Sequence, residues 1–151
     1  MRMKYGMVAS NPALVKFSRP LLVTTGTVFK NSGGQYMYNN AGALSLATGD
    51  VVIVGAADVN EHTSAAGEKV QLQMNPVVPS WLPIIRTAGA ITEGIALGLI
   101  GKRARCLIGV DGIQRVDLDT TGTGLIIEYY DIENQALLVS METAQARTSA
   151  V

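Results

Sequence analysis

Short runs of β-branched and other apolar residues, separated by glycine, asparagine and aspartate, recur along most of the chain. Residues 69–74 alternate strictly, which places Val70, Leu72 and Met74 on one face and polar side chains on the other. One polar face is typical of an antiparallel sheet with one side in water. The pattern predicts strands at residues 21–30, 35–38, 43–47, 51–56, 69–74, 103–110, 113–118, 125–130 and 136–141.

Many short strands with regular turn signals predict a mainly β fold, a single-domain antiparallel β-sandwich or barrel. The clearest turn is Asn-Ser-Gly-Gly at residues 31–34, because its glycines adopt the positive φ of a reversal. Residues 1–20 differ, since prolines and basic residues separate single apolar side chains. We therefore predict an extended N-terminal arm at residues 1–20, a β-rich core domain at 21–141 and a polar C-terminal tail at 142–151 that frays.

Two apolar segments do not fit the strand pattern. Residues 76–83 contain three prolines, which remove backbone donors, so we expect this segment to cross a surface or an edge. Residues 91–100 fit a short helix or an apolar strand. Gly94 and Gly98 each weaken a helix by about 1 kcal/mol relative to alanine, which favours strand and turn.

The composition points to a protein partner. Only 16% of residues are charged, against about 25% in average soluble domains, and charge depletion is typical of interface centres and homo-oligomer contacts. The 12 acidic and 12 basic side chains cancel, so nothing steers the chain toward nucleic acid or an anionic membrane. The basic cluster Lys102, Arg103 and Arg105 lacks the interleaved aromatic residues that stack on bases. We expect a homo-oligomer, with a trimer favoured, and neither a nucleic-acid nor a membrane partner.

The residue types that build enzyme sites are sparse. The chain has one histidine and one cysteine, so we expect no catalytic residues, no cofactor and no metal site. Cys106 has apolar neighbours and is interpreted as a small buried thiol. His62 lies among Ser, Ala and Gly residues and is interpreted as an exposed loop histidine.

One motif comes close to a metal-binding signature. Residues 117–122 read Asp-Leu-Asp-Thr-Thr-Gly, with Glu128 at the twelfth position, which fits an EF-hand calcium loop except at Thr121. Such a loop needs a helix on each side, and the preceding residues are strand-like. We therefore prefer a β-hairpin with its turn at residues 120–124, in which Leu118 approaches Leu125 while Asp117 and Asp119 face water.

One stretch carries a family resemblance. Residues 43–55 read Ala-Leu-Ser-Leu-Ala-Thr-Gly-Asp-Val-Val-Ile-Val-Gly, and residues 65–72 read Ala-Ala-Gly-Glu-Lys-Val-Gln-Leu. Gly-Asp and Gly-Glu turns that introduce successive strands resemble those of phage head decoration, or cement, proteins. This resemblance implies a β-barrel or sandwich core, trimers over capsid symmetry axes, and stabilisation of the shell without catalysis.

These observations together predict a virion structural protein, made in the host cytoplasm, that binds the major capsid protein. Two alternatives are another phage component, of the tail, neck or minor capsid, and a small ligand-binding β-barrel. The apolar residues of the arm and of the proline-rich segment are the predicted interface: Tyr5, Met7, Leu14, Phe17, Trp81 and Leu82.

Overall fold

The computed structural model describes residues 6–7, 18–30, 35–74 and 79–142. Strands account for 50% of the described residues and helix for 6%, which confirms the predicted mainly β fold with antiparallel sheets. The strands are β1 Gly6–Met7, β2 Ser18–Leu22, β3 Val28–Phe29, β4 Tyr36–Asn40, β5 Ala43–Leu46, β6 Ile53–Ala57, β7 His62–Thr63, β8 Lys69–Gln73, β9 Ser80–Ile85, β10 Arg103–Ile108, β11 Gln114–Asp117, β12 Leu125–Asp131 and β13 Ala136–Met141. The helix α1 spans Glu93–Leu99.

The C-terminal strands close into a barrel. Their order is β9-β11-β10-β12-β13, and β13 pairs back onto β9 from Ala136 opposite Pro83 to Val139 opposite Ser80. All pairs in this ring are antiparallel except β9 with β11. Alternate side chains point inward and fill the interior, as expected for a ring this small. The barrel core includes Leu82, Val116, Leu125, Ile127 and Leu137.

The strand β9 corrects the prediction that the proline-rich segment lies at a surface or an edge. It pairs with β13 on one side, and with both β1 and β11 on the other. The Ile85 carbonyl accepts from Leu118 N, just after β11. Because backbone groups two residues apart in a strand point to the same side, Pro83 N also faces β11. Among the described residues, the pairing with β1 covers Ser80 and Trp81 and the pairing with β11 covers Ile84 and Ile85, so Pro83 lies between the two. The missing donor of proline therefore breaks none of the described strand pairings.

The segment after β9 is a helix, so the preference for strand and turn at residues 91–100 was wrong. Thr92 caps the helix, with its side chain accepting from Ile95 N and its carbonyl from Ala96 N. Ala96 is fully buried in the barrel core. A Cβ placed on Gly94 or Gly98 would meet open space, so these glycines lie on the outer side of the helix. The burial of one turn outweighs their low helix propensity.

Five of the strands before residue 75 form a second sheet, here called the N-terminal sheet, in the order β2-β8-β6-β4-β5. A single parallel bridge from Val23 to Leu44 brings its two ends together. The two-stranded ribbon β3–β7 lies apart from this order. The N-terminal sheet and the ribbon enclose a core of their own: Val23, Phe29, Met37, Leu44, Ala57, Val70 and Leu72.

The N-terminal sheet also packs on the barrel with its other face. Tyr36, Ile53 and Ala56 belong to the barrel core, whereas Met37 and Ala57, the next residues in β4 and β6, belong to the N-terminal core. This alternation follows from the opposite faces of a strand. Both faces of β4 and β6 are therefore covered.

The buried amide of Gln114 joins the two sheets. Its Oε1 accepts from Tyr36 N at 2.9 Å, while Nε2 donates to the carbonyls of Tyr36 at 3.0 Å and Ala47 at 2.9 Å. The Tyr36 hydroxyl donates to the Val139 carbonyl at 3.2 Å. Because each polar group has a partner, this joint is buried without leaving a donor or acceptor unsatisfied.

Three details of the sequence prediction differ in the structure: a hairpin, the extent of the arm and the start of the tail. The strands β11 and β12 do not pair, so the hairpin with Leu118 opposite Leu125 was wrong: β11 pairs with β9 and β10, and β12 with β10 and β13. β2 begins at Ser18, inside the predicted arm, and β1 attaches Gly6–Met7 to β9. Glu142, placed in the tail, is buried, and its carboxylate accepts from Gly124 N at 2.7 Å. The predicted turn at residues 31–34 lies outside the described residues.

Candidate functional site

The end of the barrel that carries α1 presents an apolar surface. α1 connects the end of β9 to the start of β10, whereas the contacts with the N-terminal sheet cluster around the end of β10 and the start of β11, at Cys106, Ile108 and Gln114. The helix therefore lies at the end that the N-terminal sheet leaves uncovered. Leu97 is 62% exposed and Ile100, three residues later, is 38% exposed.

Two tyrosines of β12 extend this surface. The rings of Tyr129 and Tyr130 stack at a centroid distance of 5.0 Å. The Tyr130 hydroxyl donates to Glu93 Oε1 at 3.1 Å and so ties the strand to α1. Burial, reinforced by the Glu93 carboxylate, raises the pKa of Tyr130, so its hydroxyl stays a donor at neutral pH. Tyr129 remains 55% exposed. We call Leu97, Ile100 and Tyr129 the α1 surface.

The opposite end of β10 carries a rigid turn with an exposed valine. Val110 is fully exposed at the tip between β10 and β11. Asp111 accepts from the Arg115 guanidinium through both carboxylate oxygens, each at 2.7 Å, and from Ile113 N at 3.2 Å. Those contacts hold the pKa of Asp111 well below its usual range, with the Arg115 hydrogen bonds as the largest cause. The tip is therefore fixed by charge-assisted hydrogen bonds.

Of the predicted interface residues, the structure describes Trp81, Leu82 and the backbone of Met7. Leu82 is fully buried in the barrel core, so its assignment to an interface was wrong. Trp81, the preceding residue in β9, points to the opposite face and is half-buried. The backbone of Met7 pairs with Ser80 in β1. Tyr5, Leu14 and Phe17 lie outside the described residues.

The residues of the calcium-like motif have other partners. Asp117 is buried and accepts from Arg105 Nε at 2.8 Å, so the prediction that it faces water was wrong. Asp119 binds the backbone and hydroxyl of Thr87, and Glu128 accepts from Ser140 at 2.6 Å. The Thr87 amide, followed by the Thr87 hydroxyl, lowers the pKa of Asp119. The three carboxylates stabilise separate places in the fold.

The basic cluster is also divided. Arg105 contacts Asp117 and, at 3.6 Å, Asp50, while Arg103 Nε lies 3.8 Å from Glu142. Gly122 covers Arg105 so closely that an added Cβ would lie 2.5 Å from Arg105 Cβ. These arginines neutralise carboxylates of the fold and do not form a basic stripe.

The structure confirms the prediction for Cys106 and changes the one for His62. Cys106 is buried, as predicted, and burial raises the pKa of its thiol. His62 lies in β7 and has hydrogen-bond partners at both ring nitrogens, so its interpretation as a loop histidine was wrong. Among the described residues, no group of three or more His, Cys, Asp or Glu side chains could hold a metal ion. No helix in the described ranges is long and apolar enough to cross a membrane.

Sequence reasoning missed the α1 surface because it favoured a strand at residues 91–100. The signal that identifies the helix is Thr92 followed by Glu93, a capping residue and an acidic first turn. Ala96 and Leu99, three residues apart, then mark the inner side of the helix.

Comparisons with models of protein families, with curated proteins and with solved structures gave no match.

Proposed function

We propose that this chain is a virion structural protein, a capsid decoration protein that binds the shell of the major capsid protein and stabilises it. The observation that carries the proposal is the α1 surface, an apolar face at the end of the barrel that the N-terminal sheet leaves uncovered. The Gly-Asp and Gly-Glu turns at residues 49–50 and 67–68, which resemble those of decoration proteins, give the partner its identity.

The mechanism is the burial of apolar area on a preformed scaffold. Complete burial of a leucine contributes up to about 3 kcal/mol, so Leu97 and its neighbours supply the binding energy where they contact the shell. The barrel presents them in a fixed arrangement, because Tyr130 ties α1 to β12 and Ala96 is buried beneath. A trimer presents three such surfaces together, and shell rupture then requires breaking all of these contacts.

The filled barrel favours this proposal over a ligand-binding barrel. Its interior is occupied by side chains of β9, β11, β12 and β13, which pack on one another. A tail, neck or minor capsid role belongs to the same structural class, and the binding experiment below distinguishes it by the particle that is bound.

The test is co-sedimentation of the purified protein with empty shells of the major capsid protein encoded in the same genome. We expect saturable binding, trimers in analytical ultracentrifugation, and little loss of binding when salt is raised several-fold. Leu97→Asp should abolish binding while leaving the circular dichroism spectrum unchanged. The matched control is Val52→Asp, because Val52 is 48% exposed and lies before β6 in the N-terminal half.

Binding to phage tails in place of shells would overturn the decoration assignment in favour of the tail alternative. An equal loss of shell binding in Leu97→Asp and Val52→Asp would show that the α1 surface is not the contact. A steep fall in affinity with salt would indicate a charged contact.

A further inference from the structure

The single histidine of the chain is held at three sides. Phe29 and His62 are opposite each other in the β3–β7 ribbon, and their rings stack at a centroid distance of 5.2 Å. His62 Nδ1 lies 2.7 Å from the Asn60 carbonyl oxygen, and Nε2 lies 2.7 Å from Glu68 Oε2. Phe29 is fully buried in the N-terminal core, so the imidazole covers one side of that core.

Both partners of the ring are acceptors. A neutral imidazole has only one N–H, so it satisfies either the carbonyl or the carboxylate, whereas the imidazolium donates to both. The two contacts therefore select the protonated ring. The Asn60 carbonyl and then Glu68 raise the pKa of His62 above its ordinary value of 6.5, and the His62 hydrogen bond lowers the pKa of Glu68.

Glu68 connects the ring to the N-terminal sheet. Glu68 immediately precedes β8, and its backbone carbonyl accepts from the amide of Val23, the residue after β2, at 3.0 Å. Its other carboxylate oxygen accepts from Ala65 N at 3.4 Å. The ribbon is attached on the same side by Ser64, whose hydroxyl donates to the Thr24 carbonyl at 2.7 Å. The ion pair thus joins the ribbon to the edge of the sheet beneath it.

We propose that His62 and Glu68 form a pH-sensitive latch that holds the β3–β7 ribbon over the N-terminal core through two hydrogen bonds when His62 is protonated, and that weakens when the ring loses its proton and keeps only one of them. This inference is independent of the proposed function. The other charged residues next to the latch in the chain are Glu61, which precedes His62, Lys69, which follows Glu68, and Lys30, which follows Phe29. Glu68 is the carboxylate in contact with the ring.

The direction of the pH effect follows from the two shifts. The pKa of His62 is raised in the folded state, so its contribution to stability is complete below 6.5 and disappears as pH rises through the folded value. The pKa of Glu68 is lowered, so its contribution is present above 4.5 and disappears as pH falls through the folded value. The latch is therefore strongest between the folded pKa of Glu68 and the folded pKa of His62, and it weakens as pH rises through the latter.

The first test uses NMR titration of the imidazole protons, which is unambiguous because there is one histidine. We expect His62 in the full chain to titrate above 6.5. Glu68→Gln should lower that pKa, since it removes the anionic acceptor. Glu61→Gln is the matched control: it makes the same change of charge beside the ring in sequence and should lower the pKa less.

The second test measures how much the latch contributes to stability. The urea midpoint of unfolding is determined at several pH values for the wild type and for His62→Gln. The difference between their midpoints should shrink as pH rises through the measured His62 titration. A wild-type pKa at or below 6.5, an equal effect of the two glutamine variants, or a midpoint difference that does not change with pH would overturn the latch. If His62→Gln fails to fold, the titrations of the wild type and Glu68→Gln still decide the question.

Discussion

The barrel and the N-terminal sheet are both five-stranded, but they close in different ways. In the barrel, β13 and β9 pair continuously from Ala136 opposite Pro83 to Val139 opposite Ser80. In the N-terminal sheet, the corresponding closure is the single bridge from Val23 to Leu44, supported by a hydrogen bond from Thr24 N to the Leu44 carbonyl. The separate β3–β7 ribbon and the His62–Glu68 pair complete the cover of its smaller core.

The difference implies unequal local stability. Regions with few buried apolar contacts and short pairings open at lower free energy than regions enclosed by continuous pairing. We therefore expect the N-terminal sheet to open first while the barrel remains folded. The barrel then serves as the rigid support of the α1 surface.

The largest effect should come from matched leucine truncations in the two cores. Leu82 and Leu72 are both fully buried, in the barrel and in the N-terminal core respectively. Each change to alanine should lower the free energy of unfolding by about 2–5 kcal/mol. By hydrogen exchange, Leu82→Ala should expose amides in both regions, whereas Leu72→Ala should expose those of β4 and β6 and spare β12 and β13. Equal exposure in both variants would show that the two regions unfold as one unit.

The second prediction concerns how closely the strands of the N-terminal sheet approach. A Cβ on Gly55 would lie 2.6 Å from both the Gln73 carbonyl oxygen and Leu72 Cγ. Gly55→Ala should therefore separate β6 from β8 and cost about 1–3 kcal/mol, as overpacking does. Chemical denaturation measures the loss. A variant as stable as the wild type would mean that the strands shift without strain.

The third prediction tests the joint between the two regions. Gln114→Leu removes the partners of Tyr36 N and the Ala47 carbonyl in a buried position, which should cost about 1–3 kcal/mol. Tyr36→Phe, which removes one hydroxyl donor to the Val139 carbonyl, is the milder control and should cost about 1 kcal/mol. If Gln114→Leu changed neither the thermal stability nor the difference in temperature at which the N-terminal sheet and the barrel unfold, the amide would not couple the two regions.

The smallest effect is expected at the outer side of α1. A Cβ on Gly98 meets open space, so Gly98→Ala should stabilise the protein by up to about 1 kcal/mol through helix propensity. Gly101 has φ +81° just after the helix, so Gly101→Ala should instead cost about 1–2 kcal/mol. Differential scanning calorimetry distinguishes the expected rise in melting temperature for Gly98→Ala from the expected fall for Gly101→Ala. Destabilisation by both variants would show that Gly98 does not lie on an open side of the helix.

Much of the local structure could be predicted from the sequence, because a strand with one buried face imposes a period of two. Residues 69–74 illustrate this: Val70 and Leu72 are buried as predicted, and β8 spans Lys69–Gln73. Met74, assigned to the same face, lies after the strand and is exposed. The predicted strand at 136–141 has the same bounds as β13.

Pairing could not be predicted in the same way. Local pattern favoured a hairpin at residues 120–124, yet β11 pairs in parallel with β9, which lies about 30 residues earlier in the chain. Pro83 was interpreted as a sign of a surface or an edge because its missing donor is a local property, whereas its place between the described pairings of β9 with β1 and with β11 depends on three separate segments. The hydrogen-bond partners of two carboxylates also lie on other segments: Asp117 accepts from Arg105, and Glu142 accepts from Gly124.

The sequence by itself determined the mainly β class, the positions of most strands and the buried state of Cys106, because these depend on the pattern and size of neighbouring side chains. Only the tertiary structure decided that the C-terminal strands close into a barrel, that residues 93–99 form a helix with exposed apolar side chains, and that His62 lies between two acceptors. Barrel closure and the burial of Ala96 depend on groups that are distant in sequence, and that burial outweighs the low helix propensity of the glycines. The partners of His62 are near it in sequence, but the pairing of the ribbon with Phe29 places its ring.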